Sequence, residues 1–332
     1  MPDGGAAVRR LARGRAAFLL ACALDVEVRK PGNVSFVSPG HGMEAEQFID
    51  SARVASGPLF APGLRVGERI ELAVAATRAA VGCNTNLGIV LLCAPLAAAL
   101  ETSMPIGSAE LRAAVRGVLD RLDRQDAAAA YRAIALANPG GLGRVEEEDV
   151  AAAPSVDLRT AMALARDRDS VARQYVEAYA DIFDTGLPAF AAVGSGRPTA
   201  AVQMVFLSFL AGWPDTHIVR KHGLAVAQTV TRQAGTWRTR LGADPGLGEQ
   251  ASFAAWDEAM KARGVNPGTS ADLTVCTLFA AALALPGALS RAAPGGGMDR
   301  VFRSTASGFY RRPDMGFPAI REARINPLKE NK

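Results

Sequence analysis

The sequence predicts an all-α protein, and three observations carry that reading. Hydrophobic residues make up 49% of the chain and aromatic residues only 6%, so a core must be built from Ala, Leu and Val. Ala and Leu are strong helix formers, because they lose little side-chain freedom in a helix. Runs that alternate β-branched or aromatic residues with polar ones are scarce, whereas apolar runs divided by short polar loops recur throughout. At 332 residues the chain can bury a sizeable core without disulfides or metal. The expected architecture is a single-domain multi-helix bundle over residues 1–293, with its site formed by interhelical loops and helix N-termini. A basic, irregular tail rich in Gly, Arg and Pro is expected over 294–332.

The elements follow in order. A first helix is expected over 7–28, ending before Lys30, which precedes Pro31 and is pushed out of helical geometry. A loop runs on to Gly42, followed by helices over 44–55 and 67–81. The stretch Gly82-Cys83-Asn84-Thr85-Asn86-Leu87-Gly88 then leads into an apolar helix over 89–100. Asn84, Thr85 and Asn86 each suit an N-cap. Amides at a helix start also suit an anion, and the sequence leaves both readings open. Helices are expected over 109–123 and 126–137. A Gly-rich loop follows, then the acidic run Glu146 to Asp149, which suits either solvent or a metal. A long helix is expected over 157–183. The turn at 194–198 lacks the ending of a phosphate-binding P-loop. Helices over 199–212, 252–263 and 273–285 complete the chain. Thr269 or Ser270 would cap the last of them, with Asp272 at its positive end.

Charge and cysteine usage narrow the function. The net charge is +4, which suits an anionic ligand, but no Lys/Arg run interleaves with aromatics, so no nucleic-acid partner is expected. Cys22, Cys83, Cys93 and Cys276 are scattered and form no CxxC pair. They read as reduced small hydrophobes in a cytoplasmic protein. Arg9 to Arg15 followed by an apolar run resembles a signal peptide, yet the helical pattern continues through Asp25, Glu27 and Arg29 with no clear small-residue cleavage site. The run 87–100 is too short to span a bilayer, so no membrane role is expected.

The chemistry concentrates in polar segments between the apolar helices. The densest is Asp215-Thr216-His217-Ile218-Val219-Arg220-Lys221-His222-Gly223, with a carboxylate, a hydroxyl, two imidazoles and two cations. The others are 30–41, 84–88, 140–148 and 268–272. All three histidines of the chain, His41, His217 and His222, fall in these segments. A helical bundle can bring such loops to one site. Lys30, Arg220 and Lys221 can neutralise phosphates. Asp215, Asp272 and Glu146 offer oxygens to Mg²⁺, which favours carboxylates together with substrate phosphates. His217 and His41 are the residues suited to moving protons near neutral pH.

The order of these segments resembles the triphosphoribosyl-dephospho-coenzyme A synthase family. The matching residues are Lys30-Pro31-Gly32 with His41, Asn84-Thr85 with Gly88, Gly140-Gly141 with Glu146, Asp215-Thr216, and Pro267-Gly268-Thr269-Ser270-Ala271-Asp272-Leu273. The resemblance runs from about Leu19 to Leu285. It implies an all-α transferase that takes ATP with Mg²⁺ and moves its triphosphoribosyl group to a hydroxyl of dephospho-coenzyme A or a related cofactor precursor. Adenine is released. In that frame Asp215, with Asp272 second, faces the charge on the sugar, and His217 and His41 handle protons. Lys30, Gly32, Asn84, Thr85, Arg220, Lys221 and Ser270 hold the nucleotide. The partners implied are ATP and a phosphorylated nucleotide or cofactor precursor, with a homodimer left open.

The chain also departs from the family pattern at Gly42-Met43-Glu44 and at Asn86-Leu87, where a His and a Lys are missing. Those departures resemble a branch in methanogens and methylotrophs. They imply an alternative role in making a one-carbon carrier of the methanopterin or methanofuran type. A second alternative is a non-catalytic helical protein that binds a nucleotide or cofactor.

Overall fold

The computed structural model describes residues 4–137 and 153–285 except Ser195, together with Gly287 and Leu289. The expected tail over 294–332, the Gly-Gly loop and Glu146 lie outside the described residues. Among those described there are helices and no strands, in keeping with the all-α expectation. In order they are α1 (Gly4–Glu27), α2 (Ala45–Leu59), α3 (Val66–Val81), α4 (Leu87–Ala99), α5 (Ser108–Leu119), α6 (Arg124–Ala137), α7 (Leu158–Ala163) and α8 (Ser170–Val176). A π-turn (Ile182–Gly186) leads into α9 (Leu187–Ala192), α10 (Pro198–Gly212), α11 (Thr216–His222), α12 (Leu224–Ala243), α13 (Ala251–Ala262) and α14 (Gly268–Ala284). None of the described helices is long and apolar enough to cross a membrane.

The helices α4 and α14 are apolar on nearly every face, and most of their residues are buried. A helix of that kind must lie inside the bundle. Both pack against α1, where Phe18, Phe60 and Phe279 meet with ring centroids 5.8–6.0 Å apart. A second apolar cluster joins α10 to α13 through Phe206, Leu210, Ile218 and Phe253.

Pro95 sits inside α4 and has no amide to give the carbonyl of Leu91 one turn earlier. The buried Tyr175 of α8 fills that gap, its hydroxyl donating to Leu91 O at 2.7 Å. Tyr179 adds a second anchor on α4, its hydroxyl donating to Leu92 O at 2.7 Å. Tyr175→Phe would therefore leave a buried carbonyl bare, and should lower stability by about 1–3 kcal/mol. Equilibrium denaturant unfolding measures this, and an unchanged midpoint would contradict the account.

Three expectations are corrected. The helix expected over 157–183 is broken into α7, α8 and a π-turn. Asp157 accepts the Thr160 amide at 2.9 Å and Asp169 accepts the Val171 amide at 2.8 Å, so each starts a new helix rather than decorating one. Ala178 and Tyr179 then take positive φ of 48° and 61°, which ends α8 while Tyr179 stays anchored on α4. The stretch 215–223 is not a loop but contains α11, and α12 follows after Gly223 at φ 82°. The last helix also begins earlier than expected. Thr269 and Ser270 lie in its first turn, not at its cap, and Asp272 is in its second turn.

Candidate active site

A cavity of about 710 Å³ opens where these elements meet. One side is apolar and comes from α4, α6 and α7, through Leu91, Ile134, Leu158 and Met162. The other side is polar. It comes from the end of α1, the loop to α2, the loop before α4, α11 and the start of α14. Among the residues expected from the sequence, His41, Asn84, Thr85, His217, Arg220, Lys221 and Asp272 all line it.

Lys30, Gly32, Asp215 and Ser270 are not among the lining residues; they build its wall. Lys30 is fully buried, its Nζ 3.0 Å from Asp25 Oδ1 and donating to the Asp25 carbonyl. Gly32 adopts φ 82°, and a Cβ there would sit 2.7 Å from the Val265 carbonyl. Its amide donates to the buried Asp257 at 2.8 Å, and its carbonyl accepts from His41 Nε2 at 2.8 Å. A carbonyl only accepts, so His41 carries its proton on Nε2 and keeps Nδ1 as an acceptor.

Asp215 is the N-cap of α11. Its Oδ1 accepts the His217 and Ile218 amides at 2.9 and 3.1 Å. Its Oδ2 accepts both the Ser270 amide and the Ser270 hydroxyl at 2.7 Å. Four donors fill its lone pairs, so Asp215 clips α11 to α14 and has no oxygen left for a ligand. In the loop before α4, Asn84 Oδ1 accepts the Leu87 amide at 3.1 Å and Thr85 Oγ1 lies 2.5 Å from Ser51 Oγ.

Four further charged residues line the cavity that the sequence did not single out: Asp25, Asp169, Arg78 and Arg168. Asp25 left a faint signal, a carboxylate within the apolar end of α1. Asp169 Oδ2 lies 3.2 Å from Arg220 Nη1. Arg78, Arg168 and Lys221 have no anionic partner among the described residues, which leaves three cations on one cavity.

The titrating groups are displaced from their ordinary values. Asp272 makes no hydrogen bond or ion pair among the described residues. Burial first, then the neighbouring Asp25, Asp215 and Asp169, push its carboxyl well above the usual range, while Arg220 pulls the other way. Burial and the nearby Lys221 and Arg220 drive His217 down to about 3, so its ring is neutral at pH 7. Burial also lowers His41, against an opposing pull from the Gly32 carbonyl.

Buried polar atoms without a hydrogen-bond partner collect here. Asn33 Oδ1, Asn86 Nδ2, His217 Nε2 and Arg220 Nε are all of this kind, and all four residues line the cavity. An unmet buried group costs about 1–3 kcal/mol, so such a concentration marks a place where a ligand supplies the missing partners. Among the described residues no group of three or more His, Cys, Asp or Glu forms a metal cage.

The profile of the ATP:dephospho-CoA triphosphoribosyl transferase family matches residues 12–291. Among solved structures, one described as a triphosphoribosyl-dephospho-CoA synthase, from Archaeoglobus fulgidus, superposes with a TM-score of 0.56 at 26% identity. It covers 71% of this chain and 98% of that one. No curated protein matches the chain significantly. With the family matched over most of its length and a shared fold beside it, the chain belongs to the ATP:dephospho-CoA triphosphoribosyl transferase family.

Proposed function

We propose that this cavity is where the chain performs the family's reaction, triphosphoribosyl transfer from ATP to a hydroxyl of dephospho-CoA. One observation carries the assignment: unpaired cations and a partnerless carboxyl share a single cavity. Arg78, Arg168 and Lys221, with Arg220, supply the charge to hold a triphosphate. Asp272 is the one lining carboxylate among the described residues with no bond of its own.

In the transfer, the C1′–N9 bond of ATP breaks and a bond from C1′ to the acceptor oxygen forms. The acceptor loses a proton and the departing adenine gains one. Asp272, whose carboxyl burial and the neighbouring carboxylates push toward the protonated form, gives its proton to adenine. The carboxylate left behind faces the sugar at the moment the sugar is most positive. His41 Nδ1 and the neutral ring of His217 are free to take the acceptor proton.

Mg²⁺ fits this site as a companion of the nucleotide. With no protein cage among the described residues, the triphosphate supplies most of its ligands. Asp169, beside Arg220, is the carboxylate we assign to add one, because Asp215 is fully committed and Asp272 is assigned to the departing adenine. Bound there, the ion would neutralise phosphate charge and fix the triphosphate.

Incubation with ATP, Mg²⁺ and dephospho-CoA should release free adenine, detectable by chromatography. Release of ADP, or of nothing, would refute the assignment. In the same assay Lys221→Ala should raise the KM for ATP about 5- to 10-fold with kcat little changed, as expected for a contact shared by ground and transition states.

A further inference from the structure

The polar wall of the cavity holds a second set of groups that phosphates cannot use. Asp25, Asn33 and Asn86 are 3%, 5% and 5% exposed, and all line the cavity. Asn33 Nδ2 donates to Asn266 Oδ1 at 3.1 Å, which leaves Asn33 Oδ1 as a buried acceptor with no donor. Asp25 Oδ1 lies 3.0 Å from the buried Lys30 Nζ, so that side of its carboxylate is already paired. Asn86 Nδ2 is a buried donor with no acceptor. These residues come from the end of α1, the loop after it and the N-cap of α4, which meet at this cavity.

The chemistry of the missing partner follows from the count. An open acceptor, Asn33 Oδ1, and an open donor, Asn86 Nδ2, demand a ligand with both a proton to give and a lone pair to offer. A phosphate at neutral pH has few protons to give, and the rim cations already suit it. A cation would satisfy the acceptor, but Lys30 already neutralises Asp25 and the Asn86 amide would repel it. A pair of adjacent hydroxyls fits: one donates to Asn33 Oδ1 and the other accepts from Asn86 Nδ2. Asp272 lines the same cavity, so a sugar held here shares the pocket with that carboxyl.

We propose that Asp25, Asn33 and Asn86 form a subsite that reads the vicinal 2′,3′-hydroxyls of the donor nucleotide's ribose. This rests on the transferase reading above. It gives the enzyme a way to reject deoxynucleotides, because an absent hydroxyl leaves buried groups unmet.

The test compares ATP with 3′-deoxy-ATP, which keeps the triphosphate, the base and the reacting carbon. Wild-type protein with Mg²⁺ should bind 3′-deoxy-ATP about 10- to 100-fold more weakly than ATP by calorimetry. In Asn33→Ala and Asn86→Ala that ratio should shrink toward one, chiefly through weaker ATP binding. Asn33→Ser serves if the alanine variant fails to fold, and the wild-type comparison needs no variant. Equal binding of the two nucleotides by wild-type protein would overturn the subsite. So would variants that shift the Mg²⁺ concentration for half-activity while keeping the ratio, since that would mark a metal site. Adenine release with no discrimination removes the subsite and leaves the transferase reading standing; discrimination without adenine release does the reverse.

Discussion

Asp272→Asn should cut adenine release by about 10²–10⁴-fold in kcat while making the protein more resistant to heat at neutral pH. The rate falls because an amide cannot give the proton that departing adenine requires. The stability rises for a reason of sign. Asp272 has its folded pKa pushed up by burial and by Asp25, Asp215 and Asp169. A carboxyl raised in this way costs stability once pH exceeds the unfolded value, near 3.9, and the cost grows until pH passes the folded value. Asparagine carries no such cost. The gain in melting temperature should therefore be largest at pH 7–8 and fade toward pH 4. Melting curves across that range, with adenine release measured beside them, check both halves. The wild-type pH–rate profile should decline on its alkaline side as Asp272 loses its proton. It should decline on its acid side where His41 gains one, below the ordinary histidine range. Undiminished adenine release by the variant would remove Asp272 from the chemistry.

Gly88→Ala should reach the same residue from the opposite side. A Cβ at Gly88 would overlap Oδ2 of Asp272 and stand 2.5 Å from its Cγ, so the carboxyl must swing away. Gly88 lies in the first turn of α4, where alanine is if anything the better helix former. The fold should survive, and kcat should drop about 100-fold, the scale expected when a reacting group is misplaced by about 1 Å. Circular dichroism and steady-state kinetics separate the two effects. A variant that unfolds, or one with normal kcat, would each show that the close approach is not there to place Asp272.

Most of the helical frame was legible because burial leaves a plain mark on composition. The apolar runs of α4 and α14 have no polar face to expose, so their place inside the bundle followed from the sequence. What stayed hidden depended on partners distant in the chain. Asp157 and Asp169 suit a helix surface as well as a helix cap, and only the Tyr175 and Tyr179 contacts with α4 decide that the segment breaks. The polar density of 215–223 looked like a loop because its capping bonds run to Asp215 and its tertiary bonds to Ser270. Lys30-Pro31-Gly32 announces a turn, but not that the ammonium folds back onto Asp25. The sequence reading put Asp215 ahead of Asp272, and the structure favours the reverse order. Four donors committed to one and none to the other make the difference, and local sequence carries no trace of that.

The bond from Tyr175 to Leu91 has a consequence for how this protein can change over generations. Loss of the phenol alone strands a carbonyl, and replacement of Pro95 alone introduces an amide that competes for the same lone pairs. Neither step is neutral by itself, and the two together restore an ordinary helix. Positions 95 and 175, eighty residues apart, should therefore change together or not at all.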